Sequence, residues 1–335
     1  MEKGPKPSAA YRHVGVVGAG AWGTALAITA ARAGRIVTLW TRDAVLLERM
    51  LASRQNDRSL PGAELPAGVR ITSSLEAAYQ SEIILLAVPA QHLRETLAVF
   101  PVPDAVPIVL CAKGIERTSG KLVTEVLTEA APECLPAILS GPSFARDLAA
   151  GLPTAVTVAS DGETAVRLQE TFSHAAFRPY ASDDVVGVAL GGAAKNVYAI
   201  ACGIVCGLGL GDSARAALLA RSFSELRRLG RAIGARDETL TGLSGLGDLV
   251  LTATSTGSRN FAFGHSLGRG RQLQELRAPG QPLAEGVDTA PALVSRASRL
   301  AVELPVAETV AEILSGRLAL SEALPRLMAR PLKME

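Results

Sequence analysis

The most apolar stretch of this 335-residue chain carries a lysine. Lys195 sits in Gly191-Gly192-Ala193-Ala194-Lys195-Asn196-Val197. An apolar setting disfavours an ammonium ion and draws its pKa down towards neutrality. Such a lysine can give or take a hydroxyl proton while a hydride moves to or from the carbon. A buried stem whose ammonium reaches water is the competing reading. Three further clusters place polar groups in glycine-rich or apolar surroundings. Lys113 follows an apolar run in Ala112-Lys113-Gly114, and Gly141 and Ser143 lie in Ser140-Gly141-Pro142-Ser143-Phe144-Ala145. The end of a parallel strand, where both segments fall, faces the ligand crevice of an open α/β sheet. Asp248 follows Gly245-Leu246-Gly247, and Ser258-Arg259-Asn260 comes ten residues later. Asp248 is read either as a partner for Lys195 or a substrate hydroxyl, or as a helix cap. Arg259 is read either as a forked grip on a phosphate or carboxylate, or as a solvated first-turn residue.

These groups need a frame, and the start of the chain supplies one. His13-Val14-Gly15-Val16-Val17 runs into Gly18-Ala19-Gly20-Ala21-Trp22-Gly23, with a helical stretch over 24–32. Gly18, Gly20 and Gly23 stand in G-x-G-x-x-G register between strand and helix, which makes the pattern a dinucleotide fingerprint. Gly18 permits the tight turn, Gly20 the approach of a pyrophosphate, and Gly23 close helix–strand packing. Helix-start N–H groups then face the phosphates. Arg42, about 20 residues on, stands where an arginine meets a 2′-phosphate. Asp43 either takes the ribose 2′-hydroxyl or caps the next helix. The segment leans towards NADPH and leaves NADH open.

Expected strands over 14–17, 36–40, 82–88, 107–111, 137–140, 155–159 and 177–180 alternate with helices over 44–53, 91–100, 121–130 and 164–173. That alternation predicts a Rossmann-type, doubly wound, mostly parallel sheet covered on both faces. Beyond about residue 183 the pattern is helical: 185–206, 213–229, 259–267, 285–302 and 306–315. The expected organisation is a tail over 1–10, a dinucleotide-binding domain over 11–182 and an all-helical substrate and catalytic domain over 183–335. Gly207-Leu208-Gly209-Leu210-Gly211 follows a helix, so it reads as a helix–helix turn and not a second nucleotide loop.

Composition narrows the class. Hydrophobic residues make up 48%, charged residues 20% and aromatics 4%, with a formal charge of +2. Without a basic block or aromatic platform, no nucleic-acid partner is expected. Cys111, Cys134, Cys202 and Cys206 lack metal-ligand spacing and read as reduced thiols, with no metal and a cytoplasmic setting. The polar start of the chain lacks the apolar core of a signal peptide. The apolar stretch from Val185, interrupted by Lys195 and Asn196, reads as a buried helix and not a membrane span. An apolar helical domain is compatible with a homodimer.

Taken in order, the segments resemble bacterial NAD(P)-dependent glycerol-3-phosphate dehydrogenases over nearly the whole chain. The resemblance rests on the glycine turn through Leu26, Lys113-Gly114-Ile115-Glu116, Ser140 to Ala145, Leu190 to Val197, Ala214-Arg215-Ala216-Ala217-Leu218, Gly242 to Leu249, Ser258-Arg259-Asn260 and Glu285-Gly286. It implies reduction of dihydroxyacetone phosphate to sn-glycerol 3-phosphate by NADPH or NADH, feeding phospholipid synthesis. It implies Lys195 as proton donor and acceptor. Lys113, Gly141, Ser143, Asp248, Ser258, Arg259 and Asn260 would surround the substrate. Ala21, Trp22, Arg42, Lys113, Ala145, Arg259, Leu283 and Glu285 would join the glycines on the cofactor, with His92 nearby. The family often has serine where this chain has Ala21, and a backbone N–H serves equally there. A dehydrogenase of β-hydroxy acids or sugar acids, or a non-catalytic dinucleotide sensor, are the alternatives.

Overall fold

The computed structural model describes residues 10–99 and 102–328. The expected tail, apart from Ala10, lies outside them. The chain divides into two compact units, one running up to Ala112 with Val123–Ala189, the other comprising Lys113–Leu122 and the residues from Leu190 onward.

The first unit is built on a sheet of eight strands. Its strands are β1 (His13–Val17), β2 (Ile36–Trp40), β5 (Val69–Thr72), β6 (Ile83–Leu86), β7 (Pro107–Leu110), β8 (Leu135–Ser140), β9 (Thr154–Ala159) and β10 (Phe177–Ser182). A separate hairpin pairs β3 (Gln55–Asn56) with β4 (Leu60–Glu64). The sheet order is β10-β9-β8-β7-β6-β1-β2-β5, parallel except between β8 and β9. β1 therefore has β2 on one side and β6 on the other, so the winding reverses at its end. Helices α1 (Ala21–Arg32), α2 (Ala44–Ser53), α3 (Leu75–Tyr79), α4 (Leu93–Val99), α5 (Val123–Ala130), α6 (Ala145–Ala149) and α7 (Gly162–Phe172) connect the strands. Val14, Val16, Leu85 and Val109, all fully buried, share one core with Leu26 and Ile28 of α1.

The alternation legible in the sequence thus appears as a doubly wound, mostly parallel sheet. The strand expected over 82–88 stops at Leu86, because Pro89 opens a 3₁₀ turn over Ala90–His92 and shortens the following helix to α4. Strand β5 and the β3–β4 hairpin are additions.

The second unit is helical. Its elements are the greater part of α8 (Val185–Gly207), then α9 (Gly211–Ala232), α10 (Asp237–Thr241), α11 (Asp248–Thr254), α12 (Arg259–Gly268), α13 (Leu273–Leu276), α14 (Gly286–Arg299), α15 (Pro305–Leu314) and α16 (Leu320–Met328). The glycine cluster over 207–211 is the turn between α8 and α9, with Gly209 and Gly211 at positive φ. Helix α8 is long and apolar enough to cross a membrane, yet 94% of its most apolar window is buried. It is a core helix. It lies backbone to backbone against α12: a Cβ added at Gly203 would stand 2.2 Å from the Phe261 carbonyl oxygen, and one at Gly264 2.1 Å from that of Ile200. Small residues on both faces permit this approach, which no larger side chain allows. Gly264→Ala should therefore destabilise the fold by about 1–3 kcal/mol, seen as a lower midpoint in urea. An unchanged midpoint would mean that the two helices do not need this seam.

Candidate active site

Helix α8 carries Lys195 into the interior, where its side chain is 7% exposed. Asp248 opens α11 directly after a π-helical turn over Leu243–Gly247, and its side chain is fully buried. Close packing brings them together, since a Cβ at Gly191 would stand 2.5 Å from the Ser244 carbonyl oxygen. Lys195 Nζ donates to Asp248 Oδ1 and, at 2.9 Å, to Thr252 Oγ1 one turn further along α11. Lys113 Nζ, on the other side, donates to Asp248 Oδ2 at 2.7 Å. One carboxylate thus serves two ammonium groups.

The charges do not balance, and the electrostatics follow from that. Burial pushes the Lys195 ammonium down to about 7, and Lys113 pushes in the same direction while Asp248 opposes them. Burial raises the Asp248 carboxyl, but the two lysines outweigh it and hold the group below the usual carboxylate range. If Lys195 loses its proton, a neutral Lys113–Asp248 pair remains. The set can therefore hold or release one proton in a dry setting, and when protonated it offers a net positive charge to a nearby oxygen.

Lys113 reaches Asp248 because its segment is fastened to the helical unit. Asn196 Nδ2 donates to the Lys113 carbonyl at 2.8 Å, and Arg296 and Arg299 of α14 donate to the carbonyls of Gly120 and Ser119. Asn260 Nδ2 donates to Asn196 Oδ1 at 2.9 Å, and Asn260 Oδ1 accepts from the Gly286 N–H at 2.9 Å. A continuous amide chain therefore links the Lys113 segment, α8, α12 and the start of α14. Asn260, expected against substrate, spends both ends of its amide on this chain. Asn196 and Thr252 were not among the expected site residues. The only sequence signals are that Asn196 adjoins Lys195 and that Thr252 lies one helical turn from Asp248.

The remaining expected residues fall as follows. In the second unit, Ser258 caps α12 by accepting from the Phe261 N–H at 3.2 Å. Arg259 is exposed on the first turn of that helix and has no protein partner among the described residues. Leu283 is exposed and Glu285 begins α14. In the first unit, Gly141 has a φ of +146° after β8, and Ser143 Oγ donates back to its carbonyl at 3.0 Å. Ala145 opens α6, and His92 ends the 3₁₀ turn.

The glycine turn has the shape a dinucleotide pyrophosphate requires. A Cβ at Gly18 would stand 2.7 Å from the Ala87 carbonyl oxygen, and one at Gly23 1.9 Å from that of Gly18, whereas Gly20 faces open space. Gly20 is also the N-cap of α1, and Ala21, Trp22 and Gly23 form its first turn. Beyond β2, Arg42 is exposed without a partner among the described residues. Asp43 caps α2 by accepting from the Leu46 N–H and pairs with Arg58 at 2.7 Å. The Leu46 N–H and then the Arg58 guanidinium hold its carboxyl below its ordinary range.

Comparison with known proteins places this arrangement. Residues 13–166 match the model for the NAD-dependent glycerol-3-phosphate dehydrogenase N-terminus, and residues 184–325 that for its C-terminus. The chain belongs to the NAD-dependent glycerol-3-phosphate dehydrogenase family. It is 55% identical over 329 residues to glycerol-3-phosphate dehydrogenase [NAD(P)+] of Bradyrhizobium sp. (strain ORS 278), covering 97% of this chain and 98% of that protein. It is 51% identical over 327 residues to the Rhodospirillum rubrum protein of the same name, covering 96% and 94%. The crystal structure of glycerol-3-phosphate dehydrogenase from Coxiella burnetii superposes with a TM-score of 0.90 at 38% identity, over 96% of this chain and 99% of that one. A ketopantoate reductase from Ralstonia eutropha shares the fold alone, at 13% identity and a TM-score of 0.58. The chain is accordingly an oxidoreductase of a family that uses a nicotinamide dinucleotide.

Asn260→Leu removes two hydrogen bonds and leaves the Gly286 N–H and the Asn196 side-chain Oδ1 buried without that partner. A loss of about 2–4 kcal/mol in urea unfolding is expected. A loss below about 0.5 kcal/mol would mean that the amide chain does not hold these segments together.

Proposed function

We propose that the chain reduces dihydroxyacetone phosphate to sn-glycerol 3-phosphate, reversibly, with NADPH favoured over NADH. The observation that carries this reading is the buried Lys113–Asp248–Lys195 set, found in a chain of this family. A nicotinamide dinucleotide held at the glycine turn over 18–23 would supply or accept the hydride at the substrate's second carbon. As the carbonyl oxygen gains charge, Lys195 Nζ transfers a proton to it, so that a hydroxyl forms and a neutral amine remains. Lys113 stays cationic against Asp248 and stabilises the developing charge in a poorly hydrated setting. Asp248 and Thr252 fix the direction of the Lys195 ammonium. Solvent returns the proton.

Arg259, exposed and unpartnered among the described residues, is assigned to the substrate phosphate, which it can grip bidentately. Ser258 and Asn260 hold the first turn of α12 that presents it. Fixing the phosphate gives the reacting carbon a defined position. Gly18, Gly20, Ala21, Trp22 and Gly23 are assigned to the pyrophosphate and Arg42 to a 2′-phosphate. The commitment of Asp43 to helix capping and to Arg58 supports NADPH, since that carboxylate is not left to take a ribose hydroxyl.

Two measurements test this. Spectrophotometric turnover of dihydroxyacetone phosphate should be robust, and Lys195→Ala should lower it by about 10²–10⁴-fold, with NADPH affinity retained by fluorescence titration. Turnover within threefold of wild type removes Lys195 from its role, and activity on β-hydroxy acids in place of the triose phosphate removes the substrate. The pH dependence has opposite signs in the two directions. Reduction needs the protonated amine, so its kcat/KM should fall as pH rises through about 7, while that for glycerol 3-phosphate oxidation should rise. Parallel profiles in the two directions would contradict the assignment.

A further inference from the structure

The β3–β4 hairpin is bound to the glycine turn by one buried side chain. Asn56 Nδ2 donates to the Ala19 carbonyl, inside the turn, and to Thr24 Oγ1 on α1, each at 2.8 Å. Its Oδ1 and its carbonyl both face the Ser59 N–H, at 3.3 and 3.1 Å, which fixes the tight loop between the two strands. Arg58 lies in that loop. It is carried to the end of β2, where its Nη1 stands 2.7 Å from Asp43 Oδ2.

As a source of stability this ion pair is minor, because the Arg58 side chain is 68% exposed and that of Asp43 36%. Its consequence is chemical. Asp43 follows the second strand, where an acid commonly holds a ribose 2′-hydroxyl. Here one of its oxygens caps α2 and the other faces a guanidinium. The segment therefore presents two arginines, Arg42 and Arg58, around a neutralised carboxylate. Without Arg58, the Asp43 charge would stand one residue from Arg42 and repel a phosphate dianion.

We propose that Arg58 is a specificity-determining residue for the cofactor, cancelling the Asp43 charge and adding a second guanidinium for a 2′-phosphate. This rests on the NADPH reading above. It assigns cofactor choice jointly to the strand end and to a hairpin loop that Asn56 fastens to the pyrophosphate turn.

Calorimetric titration of the full chain with adenosine 2′,5′-bisphosphate and with 5′-AMP isolates the 2′-phosphate from the nicotinamide. Wild type should bind the bisphosphate more tightly. Arg58→Ala should weaken the bisphosphate by at least about tenfold and leave AMP unchanged, with Arg58→Lys intermediate. In steady state the KM for NADPH should rise at constant kcat, while that for NADH holds or falls. Arg58→Gln, which keeps most of the stem, substitutes if the alanine variant unfolds. A wild-type preference for the bisphosphate that survives Arg58→Ala, or equal weakening of both ligands, overturns the inference alone. A wild type with no such preference overturns the NADPH reading and the inference with it.

Discussion

One buried carboxylate between two lysines is the constraint on which the rest of the helical unit depends. Asp248 has no exposed surface, so its charge is stable only while Lys113 and Lys195 remain within hydrogen-bond reach. The two lysines come from segments far apart in the chain, and each must be held in place by something else. Lys195 is held by α8, which packs against the turn before Asp248 and against α12 through glycines. Lys113 is held through its backbone, by Asn196 at one end of its segment and by the arginines of α14 at the other.

This arrangement also accounts for the direction in which the Lys195 ammonium is shifted. Two ammonium groups share a single counter-ion, and burial together with the neighbouring Lys113 charge draws the Lys195 ammonium down to about 7. Asp248 opposes that shift but cannot cancel both desolvation and Lys113. The neighbouring asparagines contribute no charge. Their contribution is geometric: neutral amides satisfy buried backbone groups and fix the spacing without shifting the balance between the charged three.

Much of this was legible in the sequence. The glycine turn stands out because strand, turn and helix are contiguous, and the strand–helix alternation dictates a doubly wound sheet. Lys195 and Asp248 stand out because charge is rare in their surroundings. What stayed hidden depends on distant partners. Leu60-Pro61-Gly62-Ala63-Glu64 has turn-formers and no clear alternation, and β4 is held by distant partners: Leu60 is buried in the core, and Asn56 on the paired strand is fastened to the glycine turn. Lys113 follows a strand of the first unit and reads as part of it, yet its bonds are to helices of the second. The amide chain through Asn196 and Asn260 joins positions 64 residues apart, and no local pattern signals it. Arg58 looks like any solvated loop arginine until Asp43 is seen beside it.

Burial draws the Lys195 ammonium down to about 7, and an NMR titration of the lysine side chains reads that shift. The protein would carry lysine labelled with carbon-13 at Cε, and Lys195→Arg would identify the signal. One lysine resonance should titrate near pH 7 and be absent from the variant. A Lys195 signal that stays unchanged until the ordinary lysine range, about pH 10, would contradict it.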